Sequence, residues 1–155
     1  MWFVKAWRLI TTLLAALSMG MAFCHLLEMS AKMTHDPALW LKLLQTLYGT
    51  FRTTGVAIEV GAVVTVVVAA FLVPRGAALA WTLTAALCLV LAHLAWWIGV
   101  APVNDTMAAL TPESLPADWM RLRIQWQYTH AARAVLEIVA LAALVLSMLV
   151  DSVPQ

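Results

Sequence analysis

Four apolar segments, each close to the ~20 residues that a helix needs to cross a bilayer, leave this 155-residue chain few ways to fold. They run from Ala6 to Met29, Thr53 to Val73, Ala77 to Val100 and Tyr128 to Val150. Inside lipid every backbone N–H and C=O must be satisfied within its own segment, so each run is expected to be a helix. Pro74-Arg75-Gly76 alone separates the second from the third, which demands a tight helical hairpin. Four crossings put both termini on one face. The two longer connections, Ser30 to Arg52 and Ala101 to Gln127, then lie on the other. The expected fold class is all-α: a single integral membrane four-helix bundle over residues 1–155, with short surface helices in its two long loops. Composition agrees, since 64% of residues are hydrophobic and 11% charged, against roughly 25% charged in soluble domains.

The first run follows Lys5 and Arg8 as a secretory signal would. It is too long for the ~7–15-residue core of one, however, and is read as a retained span. A net charge of +1 with no basic block excludes a nucleic-acid role. Cys24 and Cys88 form no CxxC pair and read as small apolar residues. Lysine and arginine are more numerous on the loop side but denser at the termini (Lys5, Arg8, Arg75). By density, the positive-inside rule gives cytoplasmic termini, in a bacterial inner membrane.

The first long loop carries Leu39, Trp40, Leu43, Leu44 and Leu47 at helical spacing, which predicts a short amphipathic helix on the membrane surface. In the second, Asn104, Thr111 and Ser114 are candidate helix caps, and Pro112 suits a first helical turn.

The functional signal is where the ionisable residues fall. In WQYTHAARAVLEIVALAALVL, His130, Arg133 and Glu137 stand at i, i+3 and i+7, on one face of the fourth helix. A charge at the bilayer centre costs between about 2.5 and 17 kcal/mol, so a stripe of three does not face lipid. Counted at ~1.5 Å per residue, His25 and Glu28 of the first span, Glu59 of the second and His93 of the third lie at similar depth, all in the loop-side half. Such a layer serves a metal or haem, a polar reaction site or an ion path, or else satisfies itself as a structural network. His35, beside Asp36 and Pro37, reads as solvated.

Three histidines and several glutamates are suitable metal ligands, and His25, Glu28, His93 and His130 form the candidate set. Their spacing names no metal. His25-Leu-Leu-Glu28 reverses the Glu-x-x-His order of di-iron bundles, and two of the histidines at most suggest a b-type haem clamp. The cofactor is thus none, a transition metal or a b-type haem. Most of the eight tryptophans fall at span ends, as an aromatic belt would. Trp96, Trp97, Trp119 and Trp126 gather beside the polar layer, where they would also wall a flat aromatic pocket.

The stretch carried by Pro102, Asn104, Trp119, Trp126, His130 and Arg133 resembles the small four-span membrane family that includes the fungal anthrone oxygenases. The likeness covers about the last third of the chain and, in the first half, only the architecture. It implies an oxygenase-like activity on polycyclic phenolic anthrones.

Two functions follow. One is a membrane oxidoreductase acting on a hydrophobic aromatic or quinone-like substrate that arrives through lipid. His130 or Glu59 would be its base, and Arg133 and Asn104 would hold the substrate oxygen. The other is a haem- or metal-binding subunit without catalysis. Expected partners are the bilayer and a hydrophobic small molecule, with self-association or a larger membrane complex left open.

Overall fold

The computed structural model describes residues 2–49 and 51–151, and the fold is all-helical. Helix α1 (Trp2–Thr34) is followed by a short α2 (Pro37–Thr46). A π turn (Phe51–Gly55) then leads into α3 (Val56–Leu72). Helix α4 (Ala77–Ala95) continues through a second π turn (Trp96–Val100) into α5 (Ala101–Ala108). A 3-10 turn (Pro112–Ser114) and α6 (Trp119–Asp151) complete the chain. The stretches Trp2–Thr34, Phe51–Leu72, Ala77–Ala108 and Trp119–Asp151 are each long and apolar enough to cross a bilayer, which makes this a multi-pass integral membrane protein. The long helices form a ring: α1 packs on α3 and α6, and α4 on α3 and α6.

The core of this ring is small. Ala15, Ala62, Ala85, Ala140 and Ala143 are buried with Val66 and Leu89, while Leu13, Leu17, Phe71, Leu83 and Leu87 point outward. Lipid solvates leucine as well as another leucine does, so helices gain by close backbone approach at small residues. Between α3 and α4, Val73 turns extended and Gly76 takes φ 116°. That conformation carries a steric penalty for any side chain, and glycine avoids it.

The helices overrun the apolar runs. A helix satisfies its own backbone whatever its side chains are, so α1 and α6 continue past the hydrocarbon into the loop-side interface. The third crossing does not stop at Val100. Pro102 has no N–H to offer an i−4 carbonyl, and the helix meets this locally by widening to i→i+5 bonds, with Ala101 N–H on Trp96 O. Asn104 therefore lies inside α5 and is not a cap. Thr111 and Ser114 do cap, reciprocally, around Pro112.

The surface helix forms, with Asp36 Oδ1 accepting from Leu39 N–H at 2.9 Å and Pro37 in its first turn. Of the expected stripe Trp40 and Leu44 are buried, joined by Leu41, whereas Leu39 and Leu47 are exposed. The reason is that α2 rests on protein. It packs with Val103, Met107 and Trp126 in a second core, and Gln45 Nε2 donates to the carbonyls of Met107 and Leu110. Arg123, buried against the Trp119 ring, donates to the carbonyls of Met33 and His35 and closes the end of α1.

Candidate functional site

Under this loop-side lid lies a cavity of about 50 Å³ between α1, α3, α4 and α6. Two devices shape it. The first π turn supplies Phe51, Arg52 and Gly55, and the second supplies Trp96 and Val100. A π turn advances the following helix by one residue relative to an α-helix, which re-aims the side chains after it. Asn104 reaches the cavity for that reason.

Arg133 organises the deep wall. Its Nη2 donates to Glu59 Oε2 at 2.8 Å and to Glu137 Oε1 at 3.3 Å. Its Nε donates to the Ala92 carbonyl at 3.2 Å, and Nη1 lies 3.2 Å from His130 Nδ1. The Ala92 carbonyl is at the start of the π turn, where Trp96 N–H is shared between Ala92 and His93. Four of the five N–H groups of arginine are thus directed at protein acceptors, leaving one on Nη1.

These contacts fix proton positions, because arginine, lysine and tryptophan side chains only donate. His130 Nδ1 must accept from Arg133, so the neutral ring carries its proton on Nε2. His25 Nδ1 is 3.0 Å from Lys32 Nζ, so the same holds for His25. In His93 the order reverses. Trp97 Nε1 donates to its Nε2 at 3.0 Å, which leaves Nδ1–H toward Glu59 Oε1 at 3.5 Å. Asn104 Oδ1 accepts from Trp126 Nε1 at 2.9 Å, so its amide N–H groups stay available.

The upper wall belongs to α1. Lys32, 3% exposed, pairs with Glu28, touches His25 and sits 4.3 Å from the centre of the Tyr48 ring. The Tyr48 hydroxyl donates to Glu28 Oε2 at 2.8 Å. Burial, then the hydrogen bond to Glu28 and the Glu28 charge, push its pKa well above the ordinary tyrosine value, so it keeps its proton. His25 and His130 meet in the middle, ring centres 4.0 Å apart and tilted by 31°, with Trp126 edge-on at 5.0 and 4.3 Å.

The sequence-predicted residues are therefore sorted. His130, Arg133, Glu59 and Asn104 all line the cavity, as do Trp96 and Trp126. Trp97 and Trp119 do not. Trp97 is 56% exposed on the lipid-facing side of the second π turn, and Trp119 packs on Trp40 and Arg123 above the lid. The candidate metal set does not assemble. Glu28 is engaged by Lys32 and Tyr48, and His93 stands apart with Glu59 and Trp97. Among the described residues no group of three or more His, Cys, Asp or Glu is placed to hold a metal ion. The stacked histidines also lack the geometry of a haem clamp, in which two imidazoles approach end-on from opposite faces.

Lys32 and Tyr48 are not among the residues the sequence singles out, since both lie beyond Met29, where the first apolar run ends. Yet His25, Glu28 and Lys32 repeat the i, i+3, i+7 spacing of His130, Arg133 and Glu137, and that repeat was the available signal. Cys24 and Cys88 are both free thiols.

Compared with protein-family models, with curated proteins and with solved structures, the chain matches none.

Proposed function

We propose that the protein is a membrane oxidoreductase of the anthrone-oxygenase type, acting on a fused-ring aromatic or quinone-like substrate with an acidic C–H conjugated with its carbonyl across the ring. The observation that carries this reading is the loop-side cavity, where Trp96, Trp126 and Phe51 form an aromatic wall around Glu59, Arg133 and Asn104.

The geometry supports one division of roles. With its Nδ1 lone pair held by Arg133, His130 is a donor, so the base falls to Glu59, whose Oε1 has only His93 at 3.5 Å. The substrate C–H proton passes to Glu59. The enolate oxygen accepts from the remaining Arg133 Nη1–H and from the Asn104 amide, preorganised donors in a dry site of the kind worth roughly 3–4 kcal/mol each in transition-state stabilisation. Dioxygen then attacks the carbanion. One of its atoms becomes the second carbonyl and the other leaves as water, so anthrone and dioxygen give anthraquinone and water with no further reductant.

Ligand pockets for drug-sized molecules run to roughly 300–1,000 Å³, and about 50 Å³ suits only the reacting edge. The rings beyond that edge require α1 and α3 to part at Met21 and Phe51, which line the cavity. The dense terminal charges Lys5, Arg8 and Arg75 support cytoplasmic termini in a bacterial inner membrane.

The test is quinone formation from anthrone with matched oxygen uptake, using purified protein in nanodiscs against protein-free autoxidation. The expected result is turnover above background, lowered at least tenfold in Glu59→Gln. A folded wild-type protein with no rate above background would overturn this function.

A further inference from the structure

The stacked pair of His25 and His130 has no place in the base and oxyanion roles just given, yet both rings line the cavity. Lys32 takes Nδ1 of one ring and Arg133 takes Nδ1 of the other. Both rings therefore present Nε2–H, and among the described residues neither Nε2 has a protein partner. Two imidazoles with centres 4.0 Å apart, tilted by 31° and each backed by a cation on its far nitrogen, make a double hydrogen-bond donor. Metal ligation through Nε2 would require each to surrender that proton.

We propose that His25 and His130 form a binding site for a small anion, with Lys32 as the positioning residue that holds His25 in the donor state. The dimensions limit the ligand. A single water needs roughly 10–15 Å³ of such space, so a cavity of about 50 Å³ has room for a diatomic or triatomic anion beside the substrate edge. The rings of Trp126 and Tyr48 flank His25, with centres 5.0 and 4.8 Å away.

In the oxidative reading, on which this identification of the ligand rests, the anion is reduced dioxygen. The substrate carbanion gives one electron to dioxygen, forming a carbon radical and superoxide, and the paired N–H groups stabilise the new negative charge. Recombination makes the C–O bond of a peroxide anion. The proton held by Glu59 returns to it, and loss of water, taking the second C–H hydrogen, leaves the carbonyl. The donor pair itself is independent of turnover, so the experiment reads it directly.

The probe is azide, a small linear anion, titrated into full-length protein carrying ¹⁵N-histidine in nanodiscs. Its spectrum separates the four histidines. The expected resting state has His25 and His130 protonated on Nε2 and His93 on Nδ1, with His35 free to report solvent. Azide should move the Nε2 resonances of His25 and His130 and leave His93 unmoved. Lys32→Met should scramble the His25 tautomer and weaken azide binding at least tenfold, and Lys32→Arg should restore both. An Nδ1–H tautomer at His25 or His130 in the wild type, an absent azide response, or unchanged azide binding in Lys32→Met would each refute the site. The wild-type spectrum decides the question even if a variant fails to fold. Turnover without an azide response would dismiss this site and leave the proposed function standing.

Discussion

Arg133 carries the deepest part of the site. It stands between two carboxylates, of which Glu59 also has His93, whereas Glu137 is fully buried and, among the described residues, has Arg133 as its one cation. Removing one partner of a buried pair destabilises by roughly 3–5 kcal/mol, because the other charge stays in the dry interior. Arg133→Leu is therefore expected to lower thermal unfolding temperature sharply. Adding Glu137→Gln should recover more of the loss than adding Glu59→Gln, and equal recovery would contradict the assignment. Arg133→Lys should fold but lose most turnover, since an ammonium cannot serve Ala92, His130 and two glutamates from one planar fork. Full activity in that variant would return Arg133 to a purely structural role. Much at this scale was legible in the sequence. The i, i+3, i+7 stripe located Arg133 between its neighbours, because helical geometry alone sets those distances. Proton positions were not legible, because they depend on which donor from another helix reaches each ring.

The π turns are the elements that make the cavity, and the second is gripped by α6. Gln125 Nε2 donates to the Gly99 carbonyl at 3.1 Å, and a Cβ built on Gly99 would fall 2.4 Å from Thr129 Oγ1. Backbone and side chain touch here with no room for a methyl group. Gly99→Ala should lower thermal stability by about 1–3 kcal/mol through overpacking, measured by thermal unfolding in detergent. Thr129→Ala in the same chain should return part of that loss, since it removes the two nearest atoms. A Gly99→Ala protein as stable as wild type would mean the two helices are not held this closely. The sequence announced helices at these places but not their change of register. Pro102 signals a disturbance without saying whether the helix ends, kinks or widens, and packing against α6 decides among the three. For α2, periodicity gave the helix and misjudged its face, because the partner surface was another protein element and not lipid.

The architecture of the whole molecule has a direct test. With the native cysteines replaced, single cysteines at Asp36 and Glu113 should react with a membrane-impermeant reagent from the same side, and one at Arg75 from the opposite side. Labelling of Asp36→Cys and Glu113→Cys from different sides would break the four-crossing topology. The number of crossings was readable because hydrocarbon thickness imposes a length on each apolar run. The closure of the ring was not, since alanine contacts leave no periodic mark in so apolar a chain. Those contacts are unevenly distributed. At the terminal end Arg8 holds Asp151 and Ser147, Ser147 meets Thr82, and Trp7 Nε1 donates to the Thr65 carbonyl, so all the crossing helices are tied together there. The opposite end holds the cavity, and there α6 stays tied to α3 and α4 through Arg133 and to the end of α1 through Arg123. Mechanically this is a pair of tongs, riveted at the handle, whose α1 and α3 jaws have to part for a flat ring to enter. A tilt of about 5° at the rivet, carried over a hydrocarbon depth of ~30 Å, parts the jaws by about 2.6 Å, which begins to admit the edge of a flat ring without disturbing the clasp.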